Sequence, residues 1–157
     1  MKAVVDTSPL VFLSKLGYLL LLKTIFQKIH VPMAVFRELS AKKDEVYRDT
    51  EMLIEESFMV VEEVEPTMTL TNLHTGEAEA ITLAKRLNYW VILDDSKARG
   101  IAMKEGLRVI GTVGLLKVML RKGLIEEKTE DLFGKLAVHG FRMKREVFFG
   151  ILKDNGH

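Results

Sequence analysis

Five short apolar runs, each leading into a segment of helical character, constrain this chain more than any other feature. They are KAVVD (2–6), KIHV (28–31), FMVVEEV (58–64), WVILDD (90–95) and LRVIG (107–111). Near-continuous Val and Ile runs of this length read as strands buried on both faces, and strands alternating with helices imply parallel β-α-β crossovers. The expected class is therefore α/β, three layers, with a mainly parallel sheet flanked by helices. Ligands of such sheets bind beyond the carboxyl ends of the strands. Two of the runs end there in acid, at Asp6 and at Asp94-Asp95.

Between the strands, Thr7 or Ser8 is expected to cap a helix that has Pro9 at its first position and Gly17 at its end. The apolar run Tyr18 to Phe26 reads as a second helix. Pro32 opens the next, which carries Glu38, and an amphipathic helix follows over 44–57. Pro66 and several Thr make 65–74 a loop. TGEAEAITLAKRLN from Thr75 is rich in helix formers, SKARGIAMKEG is a helix ended by Gly106, and Thr112 is placed to cap the helix closed by Gly123. Helices are also expected over about 126–138 and 142–153. The 157 residues, 48% of them apolar, suit one domain spanning 1–157.

Absences narrow the chemistry. The chain has no cysteine, which removes disulfides, thiolate metal sites and cysteine nucleophiles. The amino-terminal apolar stretch is broken by Asp6 and Lys15, too soon for a signal peptide or a membrane span, so a cytoplasmic protein with no membrane partner is expected. One Gln and three Asn beside abundant Lys and Glu is a bias shared with heat-adapted proteins. Net charge is only +1, but residues 1–96 hold 10 basic and 15 acidic side chains while 97–157 hold 13 and 7. An acidic site beside a basic surface fits that split, as do ordinary solvated helix faces.

Asp6, Glu38, Glu77, Asp94 and Asp95 all follow strands or the loops leaving them, so the fold can gather them at one edge. Such a cluster is repulsive, and cations or raised pKa values must offset it. Oxygen-only ligands suit Mg²⁺ or Mn²⁺, whereas scattered His30, His74, His139 and His157 give no zinc spacing. Two such ions can activate water for phosphodiester hydrolysis without a side-chain nucleophile. Singly, each acid has a plainer role: Asp6 or one of the Asp94-Asp95 pair as a helix cap, Glu38 on a solvated surface, Glu77 in a first turn that favours carboxylates.

In VVDTSPLVFLSKLG, VPMAVFREL, TGEAEAITLA, VILDDSKARGIAMKEGLRVIGTVGLL and the KGLI that follows, the sequence resembles the PIN-domain family, within it a branch catalogued as a domain of unknown function. The resemblance covers Lys2 to Ile125 with gaps, leaving the helices of 126–153 outside the motifs. It implies a metal-dependent nuclease acting on RNA. The family's four acids fall on Asp6, Glu38, Glu77 and Asp95 as catalytic metal ligands, with Asp94 able to assist, Glu79 as a neighbour, and the hydroxyl residue after the first acid at Ser8. Glu77 stands where the toxin branch mostly has Asp, and the fourth position is a doubled Asp. The toxin branch brings an antitoxin protein among the expected partners, and family members commonly form homodimers.

For RNA phosphates, Lys97 and Arg99 are the first cationic candidates, with Arg37 and Lys15 behind them. No aromatic stacking platform stands out, since Trp90 lies in a strand and the Phe residues read as core. The stripe Tyr18, Leu19, Leu22 reads as core or as a dimer contact. Two rivals stand beside the ribonuclease. One is a catalytically silent PIN-like module that binds RNA or protein. The other is an aspartyl-phosphate phosphotransferase, disfavoured because Ser8 stands where a second Asp is wanted and the acidic pair comes late in the chain.

Overall fold

The computed structural model describes residues 1–66, 70 and 72–153, so the loop expected at 65–74 lies partly outside the described residues. Its centre is a five-stranded, wholly parallel sheet in the order β3-β2-β1-β4-β5. The strands are β1 (Lys2–Val5), β2 (Lys28–Pro32), β3 (Met59–Glu62), β4 (Trp90–Ile92) and β5 (Val109–Ile110). Among the described residues the α-helices are α1 (Thr7–Leu16), α2 (Met33–Lys42), α3 (Glu45–Glu55), α4 (Thr75–Leu87), α5 (Ser96–Lys104), α6 (Thr112–Arg121), α7 (Thr129–Val138) and α8 (Arg145–Lys153).

Strand residues alternate between two cores, as the pleat requires. Ala3, Val5, Ile29, Val31 and Ile92 face one core with residues of α1, α3, α6, α7 and α8. Val4, Val91 and Leu93 face the other, with Ala80, Ile81 and Leu83 of α4 and Ala98 and Ala102 of α5. The three layers expected from the apolar runs are thus present. The chain builds β1, β2 and β3 in one direction and then returns to lay β4 and β5 on the other side of β1. With crossovers of constant hand, that reversal carries α4 and α5 to the opposite face. Between β1 and β4, therefore, the connections leave in opposite directions and a crevice opens at the strand ends. The register Val5↔Ile92 sets Asp6 level with the residues that precede Asp94.

Three local expectations are corrected. Thr7 and Ser8 do not cap α1 but lie inside it, with Asp6 at the cap position. The Tyr18–Phe26 run forms a 3-10 helix over Leu19–Thr24, not an α-helix. Its buried residues are Leu19 and Leu22, and a spacing of three matches the three-residue turn of that helix. These two leucines are core, while Leu20 between them is exposed. Thr112 is the first residue of α6 and Gly111 takes the cap position, because the Thr112 side chain is engaged elsewhere.

Helix α1 hangs from the sheet by Leu10 and Leu13, both wholly buried. Leu13→Ala is expected to cost about 2–5 kcal/mol of stability. The check is a urea titration, in which the midpoint falls while the slope stays that of the parent.

Candidate active site

Asp6 leaves the central strand with an extended backbone, and its N–H donates to the Ile92 carbonyl at 3.1 Å. Although it stands at the cap position of α1, its carboxylate makes no capping hydrogen bond. It points instead into a cleft of about 800 Å³ whose walls include Glu38, His74, Glu77 and Glu79. Asp6 is only 6% exposed. Burial is the main reason its carboxyl is pushed up to about 7; the Thr7 amide acts in the opposite sense, and the charges of Glu77, Glu38 and Asp94 add to the rise.

Glu77 and Glu38 reach the same cleft from two helices. Glu77 lies in the first turn of α4 and accepts from the His74 N–H at 3.2 Å. Its carboxyl is also raised, by burial first and then by Asp95 and Glu38, with His74 opposing. Glu38 is exposed on α2. Between these acids sits Gly76. A Cβ there would stand 3.2 Å from Asp6 Oδ1, 3.3 Å from Val35 Cγ2 and 3.5 Å from Glu38 Oε1. Two carboxylate oxygens thus face one point, and a Cβ there would crowd Asp6 and Val35. No salt bridge joins Asp6, Glu38 or Glu77 to a cationic side chain among the described residues.

Asp94 and Asp95 stand next to this cleft but do not line it. Asp94 accepts from the Thr112 N–H at 2.7 Å, the Thr112 hydroxyl at 2.7 Å and the Ser8 hydroxyl at 3.0 Å. It therefore ties the end of β4 to the first turns of α1 and α6, and this consumes both hydroxyls. Gly111 is needed beside it, since a Cβ would lie 2.9 Å from Asp94 Oδ1 and 2.7 Å from Arg99 Nη1. Asp95 is exposed and caps α5, accepting from the Ala98 N–H at 2.9 Å. Its charge nevertheless acts on Glu77, as that of Asp94 acts on Asp6.

The cationic candidates separate clearly. Arg99 turns away from the cleft and donates to the Leu93 carbonyl at 3.0 Å. Lys15 pairs with Glu45 at 3.3 Å. Lys97 is exposed and donates to the Asn72 carbonyl at 3.3 Å. Arg37 lines the cleft beside Glu38.

The sequence placed Glu79 only as a neighbour of the third acid and gave His74 no role in the site; both line the cleft. Glu79 is 8% exposed and accepts from the Ala34 N–H at 3.0 Å. The family resemblance chose Glu77 because Leu83-Ala84 follow it at the expected distance, and this left Glu79 as a neighbour. The usable signal lay in α2, whose opening residues Pro32, Met33, Ala34 and Val35 offer no side-chain oxygen to their own first turn.

The donor types suit a hard divalent cation: carboxylate oxygens of Asp6, Glu38 and Glu77 on one cleft, with no salt bridge to any of them among the described residues. As the side chains stand, no group of three or more His, Asp or Glu converges in ligating arrangement among the described residues.

Two acids should respond to substitution with opposite sign. The folded-state value for Asp6 lies near 7, against 3.8 in a free chain, so the native state holds a proton there that the unfolded state releases. Stability from this group is full below about pH 4 and is lost as pH rises toward 7. Asp6→Asn is expected to raise metal-free stability by about 2–4 kcal/mol above pH 7 and to leave it unchanged at pH 4. Asp94→Ala removes three hydrogen-bonded contacts and is expected to cost about 2–4 kcal/mol at neutral pH. Thermal denaturation of both variants across that pH range checks the pair.

A family model for the PIN domain matches residues 2–157. No curated protein matches the chain. Among solved structures it is similar to a PilT N-terminus domain protein from the hyperthermophilic archaeon Sulfolobus solfataricus P2, at 18% identity and TM-score 0.48, covering 92% of this chain and 98% of that one. It is also similar to a domain of a functionally unknown protein from Methanocaldococcus jannaschii DSM 2661, at 21% identity and TM-score 0.48, covering 70% and 89% respectively. PIN domains are generally nucleases. By a match that runs almost the length of the chain, this protein belongs to the PIN-domain family.

Proposed function

We propose that the chain is a metal-dependent endoribonuclease that hydrolyses RNA phosphodiester bonds with Mg²⁺ or Mn²⁺. The observation that carries this reading is that oxygens of Asp6 and Glu38 face one point above Gly76, with Glu77 on the same cleft wall and, among the described residues, no salt bridge to any of the three. Asp6 and Glu77 supply the buried ligands, Glu38 the one from the solvent side, and Asp95 completes the set from the adjoining rim. When a divalent ion is bound, the chemistry it supplies is activation of water and neutralisation of charge on the phosphate. Asp94 holds Ser8 and Thr112 and so keeps the first turns of α1 and α6 against the end of β4. Arg37 at the cleft wall and exposed Lys97 are the cations placed to hold substrate phosphates without sequence preference. The carboxylate chemistry asks for a phosphodiester; RNA, an antitoxin protein and a second copy of the chain, the partners expected from the sequence, rest on the family resemblance.

One observation favours the silent-module reading instead. Glu77 and Asp95 already serve as hydrogen-bond acceptors for backbone N–H groups, and no three acids converge as ligands among the described residues.

Incubation of purified protein with fluorescently labelled single-stranded RNA separates the two. Cleavage is expected with Mn²⁺, absent with EDTA, and lowered on the order of 100-fold or more by Asp6→Asn. Cleavage that persists in EDTA or in the variant would overturn the metal-nuclease reading, and RNA binding without cleavage would establish the silent module.

A further inference from the structure

Glu79 is a buried carboxylate to which the proposed chemistry gives no task. It lies in α4, 8% exposed, on the wall of the cleft. Removing a carboxylate from water is costly unless hydrogen bonds or opposite charge compensate it. Its partner is found on another helix: Glu79 Oε1 accepts from the N–H of Ala34, the second residue of α2, at 3.0 Å.

Helix α2 needs such a partner. It begins directly after β2 with Pro32 at the cap position and no side-chain capping bond of its own. The first N–H groups of any helix lack internal acceptors, and the positive end of the helix favours a carboxylate there. Glu79 meets both needs from across the cleft. Ala34 and Glu38 are four residues apart and so lie on one face of α2, a turn from each other. Gly76, one turn before Glu79 in α4, leaves the room that Asp6 and Glu38 face.

We propose that Glu79 is a positioning residue: by capping α2 from α4 it holds the first turn of α2, and with it Glu38, at the cleft that Asp6 and Glu77 share, so that a divalent cation can draw the three onto itself. This rests on the metal reading above. The competing role is direct ligation, since Glu79 also faces the cleft, and the two roles differ in what a glutamine can replace. Gln keeps an oxygen that accepts from Ala34 but is a poor ligand for a hard cation.

The test compares the full-length protein with Glu79→Gln and Glu79→Ala, using Mn²⁺ calorimetry and, on metal-free protein, amide hydrogen exchange at Ala34. Glu79→Ala is expected to weaken Mn²⁺ binding about 10–100-fold and to speed exchange at Ala34, while Glu79→Gln stays within about threefold of the parent in affinity and keeps Ala34 protected. If Glu79→Ala does not fold, Glu79→Asp, one methylene short of Ala34, carries the same expectation. Gln binding as weakly as Ala with Ala34 still protected would overturn the inference in favour of direct ligation. Variants that bind Mn²⁺ like the parent, even at lower melting temperature, would reduce Glu79 to a structural cap and overturn it too. A parent protein that binds no Mn²⁺ overturns the metal reading and this inference with it.

Discussion

Repulsion among carboxylates held in one cleft is the constraint around which this structure is arranged. Asp6 is fixed at the end of the central strand, where the reversal between β1 and β4 opens the sheet. Glu38 and Glu77 arrive from helices on either side, and the backbone passes between them at a residue without a side chain. None of this favours the metal-free fold. Burial and like charge both lift the Asp6 carboxyl toward neutrality, so the cleft stores unfavourable energy that the surrounding core must cover. A folded chain keeps such an arrangement when the cluster is used for something other than stability.

Beside these acids stands a second tier with the opposite role. Asp94 collects two hydroxyls and a backbone N–H, and through them it fastens two helix starts to the end of a strand. Asp95 caps α5, and Glu79 caps α2 from a different helix. The acids of this edge thus divide into Asp94 and Glu79, whose oxygens hold helix starts, and Asp6 and Glu38, left facing each other. Glu77 and Asp95 fall on both sides of the line, because each accepts from a backbone N–H and faces the other's charge. That division assigns roles better than proximity does, because all of them lie close together.

Much of this was legible in the chain. Short Val and Ile runs gave the parallel sheet, and their terminal acids marked the edge where the site lies. Glu77 was named through the family resemblance, since a first-turn acid alone has a plainer role, and the structure sets it on the cleft wall. The division of labour between Asp94 and Asp95 was not legible: it depends on Thr112, eighteen positions beyond Asp94, whose hydroxyl sequence rules assign to its own helix. The same is true of Glu79, whose partner is forty-five positions away. Capping was read as a local act between neighbours, and in this fold two of its important instances are long-range. The 3-10 turn at Leu19–Thr24 escaped for a different reason, since four successive leucines carry no period from which to choose a helix type.

The sheet ends on one side in β5, a strand of only two residues, Val109 and Ile110. A strand that short offers too few free backbone groups to template another chain, and on the far side β3 finishes in Glu62 followed by Glu63, charges that discourage the same event. Copies of this protein are thereby steered away from growing by strand addition, which leaves the helix-covered faces of the sheet as its larger surfaces for contact.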